Sequence, residues 1–170
     1  MADYAIEEIT HWLQDGRLTG LKLHLANSGL DLRNQDHISK LCAIFVLMND
    51  FERPIVIHLA HIAGWGGYDA ATDRAIQAFL DACDEGTLDR SRIWFDIAAV
   101  VDAKMHDEDA ARLTARLRDI GLDRVLFATD WNEVDPRSHI DTLRNTLTLS
   151  DIEWAQLMSN EVPYLHQLPE

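Results

Sequence analysis

An apolar run opens at Pro54, reads IVIHLA, and empties into the glycine-rich stretch HIAGWGGYD, which ends at Asp69. A strand with one wet face alternates apolar and polar residues; this one does not. Continuous apolar character is the habit of strands covered on both faces, as in parallel sheets. Parallel neighbours need a crossover of a dozen or more residues, usually a helix. This one segment therefore asks for an α/β chain.

The rest of the chain meets that demand. Ile6, Ile9, Trp12 and Leu13 recur at helical spacing, so residues 3–15 read as an amphipathic helix. LKLHL follows as a short strand ending near Leu25, and ANSGLDLRN as a polar loop. A second helix is expected at 36–50, a third at 70–83 and a fourth at 107–120, stopped by Gly121. RIWFDIAAVV, Arg92 to Val101, and RVLFATD, Arg124 to Asp130, read as the remaining strands. A helix near 137–147 comes next. Ser150 and Glu153 then form a capping box for a last helix, with Leu149 and Trp154 placed as a hydrophobic staple. Four strands alternate with long helical crossovers in one domain, residues 1–170, and the strands should be parallel.

Composition narrows the partners. The chain of 170 residues carries 29 Asp and Glu against 15 Lys and Arg, a formal charge of −14. Polyanionic surfaces repel that balance, which argues against nucleic acid and anionic membrane. Cys42 and Cys83 fall in apolar helical patterns and read as buried thiols, not a disulfide framework. The acidic start MADYAIEEIT is no signal peptide, and no apolar run approaches the roughly 20 residues of a membrane helix. A cytoplasmic protein acting on a small molecule is the expectation.

In parallel α/β folds, chemistry gathers at the C-terminal ends of the strands. The polar residues there are His24, His58, His61, Asp96 and Asp130. His24 is either a loop histidine or a functional one. Asp96 sits among apolar residues and must find a partner; it either bonds a loop backbone or faces the site. Asp130 ends an apolar strand and suits a divalent metal or a proton, against the plainer reading of a helix cap. His58 and His61 suit metal ligation or base catalysis. Positions three apart on a strand point to opposite faces. The two histidines meet only if the strand ends near His58 and the chain turns before His61, and Gly64, Gly66 and Gly67 would permit such a turn.

GLKLHLANSGLDL, PIVIHL, AHIAGWGGYD, RIWFDIAAVV and RVLFATDW, in that order, resemble the later strands of the amidohydrolase-related (amidohydrolase 2) family. These are metal-dependent hydrolases and decarboxylases on a (β/α)₈ barrel. The resemblance implies a partial TIM-type barrel and a divalent metal, zinc first. It makes His58 a metal ligand, His61 the catalytic histidine, Asp130 a ligand and proton acceptor, and His24 a substrate contact. Asn160 stands where the family places an asparagine in its terminal helix.

There are departures. No HxH pair occurs anywhere in the chain, so the family's opening strand has no counterpart. His58 and His61, which in the family end successive strands, are separated by Leu59 and Ala60 only. The chain is also shorter than the about 250 residues typical of such barrels. The resemblance therefore implies a truncated domain lacking about the first three strand–helix units, with an internal deletion. Three functions stand open: a metal-dependent hydrolase in which activated water attacks a carbonyl-type carbon, with decarboxylation of aromatic acids as a variant; a catalytically incomplete remnant or half-barrel, either two copies paired into an eight-stranded homodimer or an open sheet standing alone as a flavodoxin-like layer; and a module that merely binds a small acid through Lys22, Arg33 or Lys104.

Overall fold

The computed structural model describes residues 4–15, 20–29, 31, 34–49, 56–64, 66–130 and 132–162. The elements run α1 (Tyr4–Gln14), β1 (Gly20–Leu23), α2 (Leu25–Ser28), α3 (Gln35–Asn49), β2 (Val56–Leu59), α4 (Ala70–Asp84), β3 (Ile93–Asp96), α5 (Asp107–Ile120), β4 (Val125–Leu126), α6 (Pro136–Thr146) and α7 (Asp151–Ser159). A left-handed turn at Ala60–Ala63 leads out of β2, and short 3₁₀ turns at Arg90–Arg92 and Leu122–Arg124 lead into β3 and β4.

Local chemistry accounts for the helix starts. Asn34 accepts from the Asp36 amide, and Asp69 accepts from Ala71 and Thr72. Asp135 caps α6 ahead of a proline in its first turn, and Ser150 with Glu153 completes the expected capping box on α7. Each supplies an acceptor for amides that have no partner inside the helix. Gly121, at φ 98°, ends α5 as its position foretold.

The four strands lie parallel in the order β1-β2-β3-β4. Leu21 pairs with Ile57 and Ile57 with Ile93; Leu23, Leu59, Phe95 and Val125 make the next row. These rows point to one face, and their side chains join a single cluster with buried residues of α1, α3, α4, α5, α6 and α7. Phe79 of α4 meets Phe95 edge-on, ring centres 5.0 Å apart, which seats that helix on β3. Alternation puts Lys22, Val56, His58, Trp94, Asp96 and Leu126 on the opposite face. There Val56, Trp94, Leu126 and Val162 form a separate, smaller cluster.

Consecutive strand order with helices on one face is the arrangement of a β/α barrel arc. A doubly wound sheet would put helices on both faces and reverse its strand order at a switch point. The chain is thus an α/β, partial TIM-type arc of four parallel strands with flanking helices. No described helix is long and apolar enough to cross a membrane.

Several boundaries differ from expectation. β1 stops at Leu23, and one turn of helix replaces the expected loop at Leu25–Ser28. Leu25 is fully packed into the core, which draws that turn inward, and Gly29 at φ 65° ends it. β3 ends at Asp96 instead of Val101, because the Asp96 carboxylate turns to accept the Ala98 amide and Ala99 is left-handed, φ 51°. β4 keeps only Val125 and Leu126 of the expected Arg124–Asp130. Trp12 is 45% exposed, edge-on to His11, so the core stripe of α1 runs through Ile9 and Leu13 without it.

Candidate functional site

Every polar residue singled out at a strand end lies on one rim of the sheet. β1 delivers Lys22 and then His24. β2 delivers His58 and, past its end, His61. β3 delivers Asp96, and the segment after β4 delivers Asp130.

The turn that brings His61 to this rim is where sequence reasoning expected it, but it is not made by the glycines. His61 and Ile62 themselves are left-handed, at φ 52° and 51°. That conformation costs an L-residue roughly 1–2 kcal/mol, and for β-branched Ile62 it is a true outlier. Gly64 has an ordinary φ; its part is close approach. A Cβ there would lie 2.8 Å from the Thr72 side chain and 3.1 Å from the His61 carbonyl. Gly67, at φ 72°, donates to the Ala99 carbonyl at 2.6 Å. The β2 and β3 rims are therefore tied together through backbone.

Asp96 is the hub. Its side chain is fully buried (0% exposed). Oδ1 accepts from the His61 amide at 2.9 Å and the Ala98 amide at 3.2 Å. Oδ2 lies 2.9 Å from His58 Nε2 and 3.1 Å from Lys22 Nζ. Neither contact is aligned as a hydrogen bond, so Lys22 acts on Oδ2 as a cation and His58 by close approach. Burial is the largest influence on the carboxyl and raises its pKa. The His58 contact, the His61 amide and the Lys22 ammonium together outweigh it and hold the group well below the usual carboxylate range.

His61 is also buried. Its Nδ1 lies 2.7 Å from the Ala98 carbonyl. A carbonyl only accepts, so Nδ1 carries the proton and Nε2 is the free basic nitrogen of the neutral ring. Nε2 stands 3.8 Å from Asp130 Oδ2, whose side chain is 46% exposed. The His24 ring meets His61 edge-on, centres 4.7 Å apart. Asp130 is itself left-handed, φ 58°, and its carbonyl accepts the Glu133 amide; the cap of the following helix is Asp135.

The rim thus holds two linked groupings: Lys22, His58 and Asp96; and His24, His61 and Asp130. No described contact joins His58 to Asp130, the two ligands that the resemblance implies. Among the described residues, no three His, Cys, Asp or Glu side chains converge as a metal site. Catalytic zinc takes three protein ligands, and the outer nitrogen of His58 is already turned to Asp96. The described donor set does not fit a catalytic metal on its own. A second buried histidine, His139 on α6, packs against Phe127 beyond this rim. Nothing local in the sequence marks it, whereas Asp96 was marked by a carboxylate inside an otherwise apolar strand.

No family model and no curated protein matches the chain. Among solved structures, 2,6-dihydroxybenzoate decarboxylase from Rhizobium superposes with a TM-score of 0.46 at 17% identity, over 72% of this chain. The same enzyme complexed with 2,6-dihydroxybenzoate gives the same values. A dihydroxybenzoic acid decarboxylase from Polaromonas sp. JS666, with bound manganese and the inhibitor 2-nitroresorcinol, gives a TM-score of 0.44 at 14% identity. The chain spans 37% of the length of each of these structures.

Proposed function

We propose that the chain carries part of an amidohydrolase-type active site, in which His61 and Asp130 move protons during hydrolysis or decarboxylation of a small acid. One observation carries this reading: the bond from Nδ1 to the Ala98 carbonyl fixes the His61 tautomer and aims basic Nε2 at Asp130. Neutral His61 is then a general base, and its imidazolium is stabilised by the facing carboxylate.

In hydrolysis, Nε2 takes a proton from water as the oxygen attacks a carbonyl carbon. The same proton then goes to the leaving group as its bond to carbon breaks. In decarboxylation of an aromatic acid, Nε2 first takes the acid's own carboxyl proton, and the imidazolium so formed gives it to the ring carbon that bears the carboxylate. The carbon–carbon bond then breaks, its electron pair returns to the ring, and carbon dioxide leaves. His24, against the His61 ring, is placed to touch the substrate. Lys22, 56% exposed at the rim, offers a cation to a substrate carboxylate. A zinc or other divalent ion on His58 or Asp130 would need donors beyond those described, so no step above uses one. That shortfall also favours a second reading, a catalytically incomplete unit.

The test is turnover of simple esters, lactones and hydroxybenzoates by the full chain, with and without added Zn²⁺ or Mn²⁺. His61→Gln should lower kcat by about 10²–10⁴, the range for a lost general acid–base. Asp130→Asn should lower it less, since it leaves the base in place. A chain inert on every substrate with both metals overturns the catalytic reading and leaves the incomplete unit.

A further inference from the structure

We infer that Asp96 is the positioning residue of this rim, with one oxygen fixing the left-handed turn that carries His61 and the other holding His58 and Lys22. The division of labour is in the geometry. Oδ1 makes both aligned hydrogen bonds, to the His61 and Ala98 amides at 2.9 and 3.2 Å. Oδ2 lies against His58 Nε2 at 2.9 Å and the Lys22 ammonium at 3.1 Å.

A pair of left-handed non-glycine residues persists only where the surroundings over-determine it. Three described bonds do so at His61: its amide to Asp96, its ring to the Ala98 carbonyl, and the Gly64 amide to its carbonyl. The Gly64 bond is local to the turn, and the ring bond reaches main chain just past β3. The amide bond to Asp96 alone is made by a side chain from another strand, so it is the one through which β3 sets the turn. If the His61 amide swings away, the ring loses its geometry toward Ala98, and Nε2 is no longer aimed at Asp130. The catalytic consequence rests on the reading of His61 as the proton-transfer group; the positional claim does not.

Asp96→Asn and Asp96→Ala separate the two oxygens. Asparagine retains an acceptor for the two amides and loses the charge; alanine loses both. The readouts are hydrogen exchange of the His61 amide and the ¹⁵N signature of its ring tautomer at one fixed pH. In Asp96→Asn, the Nδ1–H tautomer should remain and exchange should stay close to wild type. In Asp96→Ala, exchange should speed up by about tenfold or more, the size of one lost buried hydrogen bond, and the single tautomer should be lost. A folded Asp96→Ala with wild-type exchange and tautomer overturns the inference. So does an Asp96→Asn that loses both signals, and this arm decides the matter alone if the alanine variant does not fold. A wild-type chain without turnover would remove the proton-transfer reading while leaving both readouts intact.

Discussion

His139 is 2% exposed, and its Nε2 has no partner among the described residues. Burial, the dominant influence, pushes its imidazole below the usual histidine range against a bond to the Ile97 backbone that favours the charged form. Above a pH of about 6.5, the unperturbed value, folded and unfolded chains both hold it neutral. Below that, the unfolded chain takes up a proton that the folded chain resists, so stability falls with pH, by at most about 1.4 kcal/mol per unit. The urea midpoint should therefore drop between pH 7.5 and 5.5, and His139→Phe should shrink that drop; an undiminished drop would assign it to other groups. Ala99 makes a complementary case. It sits at φ 51° without being fully buried, so Ala99→Gly should relieve strain and stabilise by up to about 1 kcal/mol, read as a rise in Tm of about 2–4 °C. A lowered Tm would mean that this left-handed residue carries no strain. Sequence pattern picked out His24, His58, His61 and Asp130 because each ends an apolar run. It left Asp96 between two readings, and the geometry gives it both: it bonds loop backbone and it faces the rim. It passed over His139, whose burial comes from α6 folding onto the end of β3, a contact with no local trace.

The terminal helix is tied to β4 by Asn160. Its Nδ2 donates to the Leu122 carbonyl at 2.6 Å and the Val125 carbonyl at 2.7 Å, while its Oδ1 accepts from Gln156 at 2.6 Å. Asn160→Asp keeps the shape and replaces the donor with a charged acceptor aimed at two carbonyls. It should cost about 2 kcal/mol or more in urea unfolding, the upper half of the about 1–3 kcal/mol range for an unsatisfied buried polar group. Equal stability would mean that the tie is not formed in solution. On the α4–α5 seam, Arg116 donates to Asp73 through Nε at 2.8 Å and to Gln77 at 2.6 Å, and Tyr68 donates to the same Asp73 oxygen at 2.6 Å. A lysine offers no such fork, so Arg116→Lys should lose about 1 kcal/mol, discounted for partial exposure; an unchanged urea midpoint would show the fork to be dispensable. Helices were legible at this scale because periodicity and caps are local: α5 ends at Gly121 and α7 starts on its capping box as read. Strand ends were less so: β3 stops at Asp96, short of the expected Val101, where left-handed Ala99 has no glycine to announce it, whereas the turn after β2 lies where it was expected and only its left-handed residues, His61 and Ile62, differ from the glycines that were to make it.

A four-stranded arc leaves its outer strands, β1 and β4, without a further strand neighbour among the described residues, and such edges invite pairing with another copy. Two arcs joined β1 to β4 at both seams would make the eight strands of a closed barrel. Two quantities oppose this. The face that would become the lumen is already covered within one chain: Val56 and Trp94 are buried and Asp96 is fully so. A second copy would therefore gain little apolar burial there and would rely on a few main-chain bonds, since β1 offers four residues and β4 two. Each copy also brings a formal charge of −14, and like charges repel over a screening length of about 30 Å at 0.01 M salt but only about 3 Å at 1 M. We propose that edge pairing is weak and gated by ionic strength. Light scattering after size exclusion should give the monomer mass at about 0.01 M NaCl and a growing dimer fraction toward 1 M. Placing an added charge within β1, as in Leu23→Lys, should abolish the dimer if the edge forms it, though a folding check is required because Leu23 packs against the core. A monomer at every salt concentration would show that the edges do not pair and overturn the proposal. A salt-independent dimer would show that a surface other than these edges, and with little charge, holds the copies together.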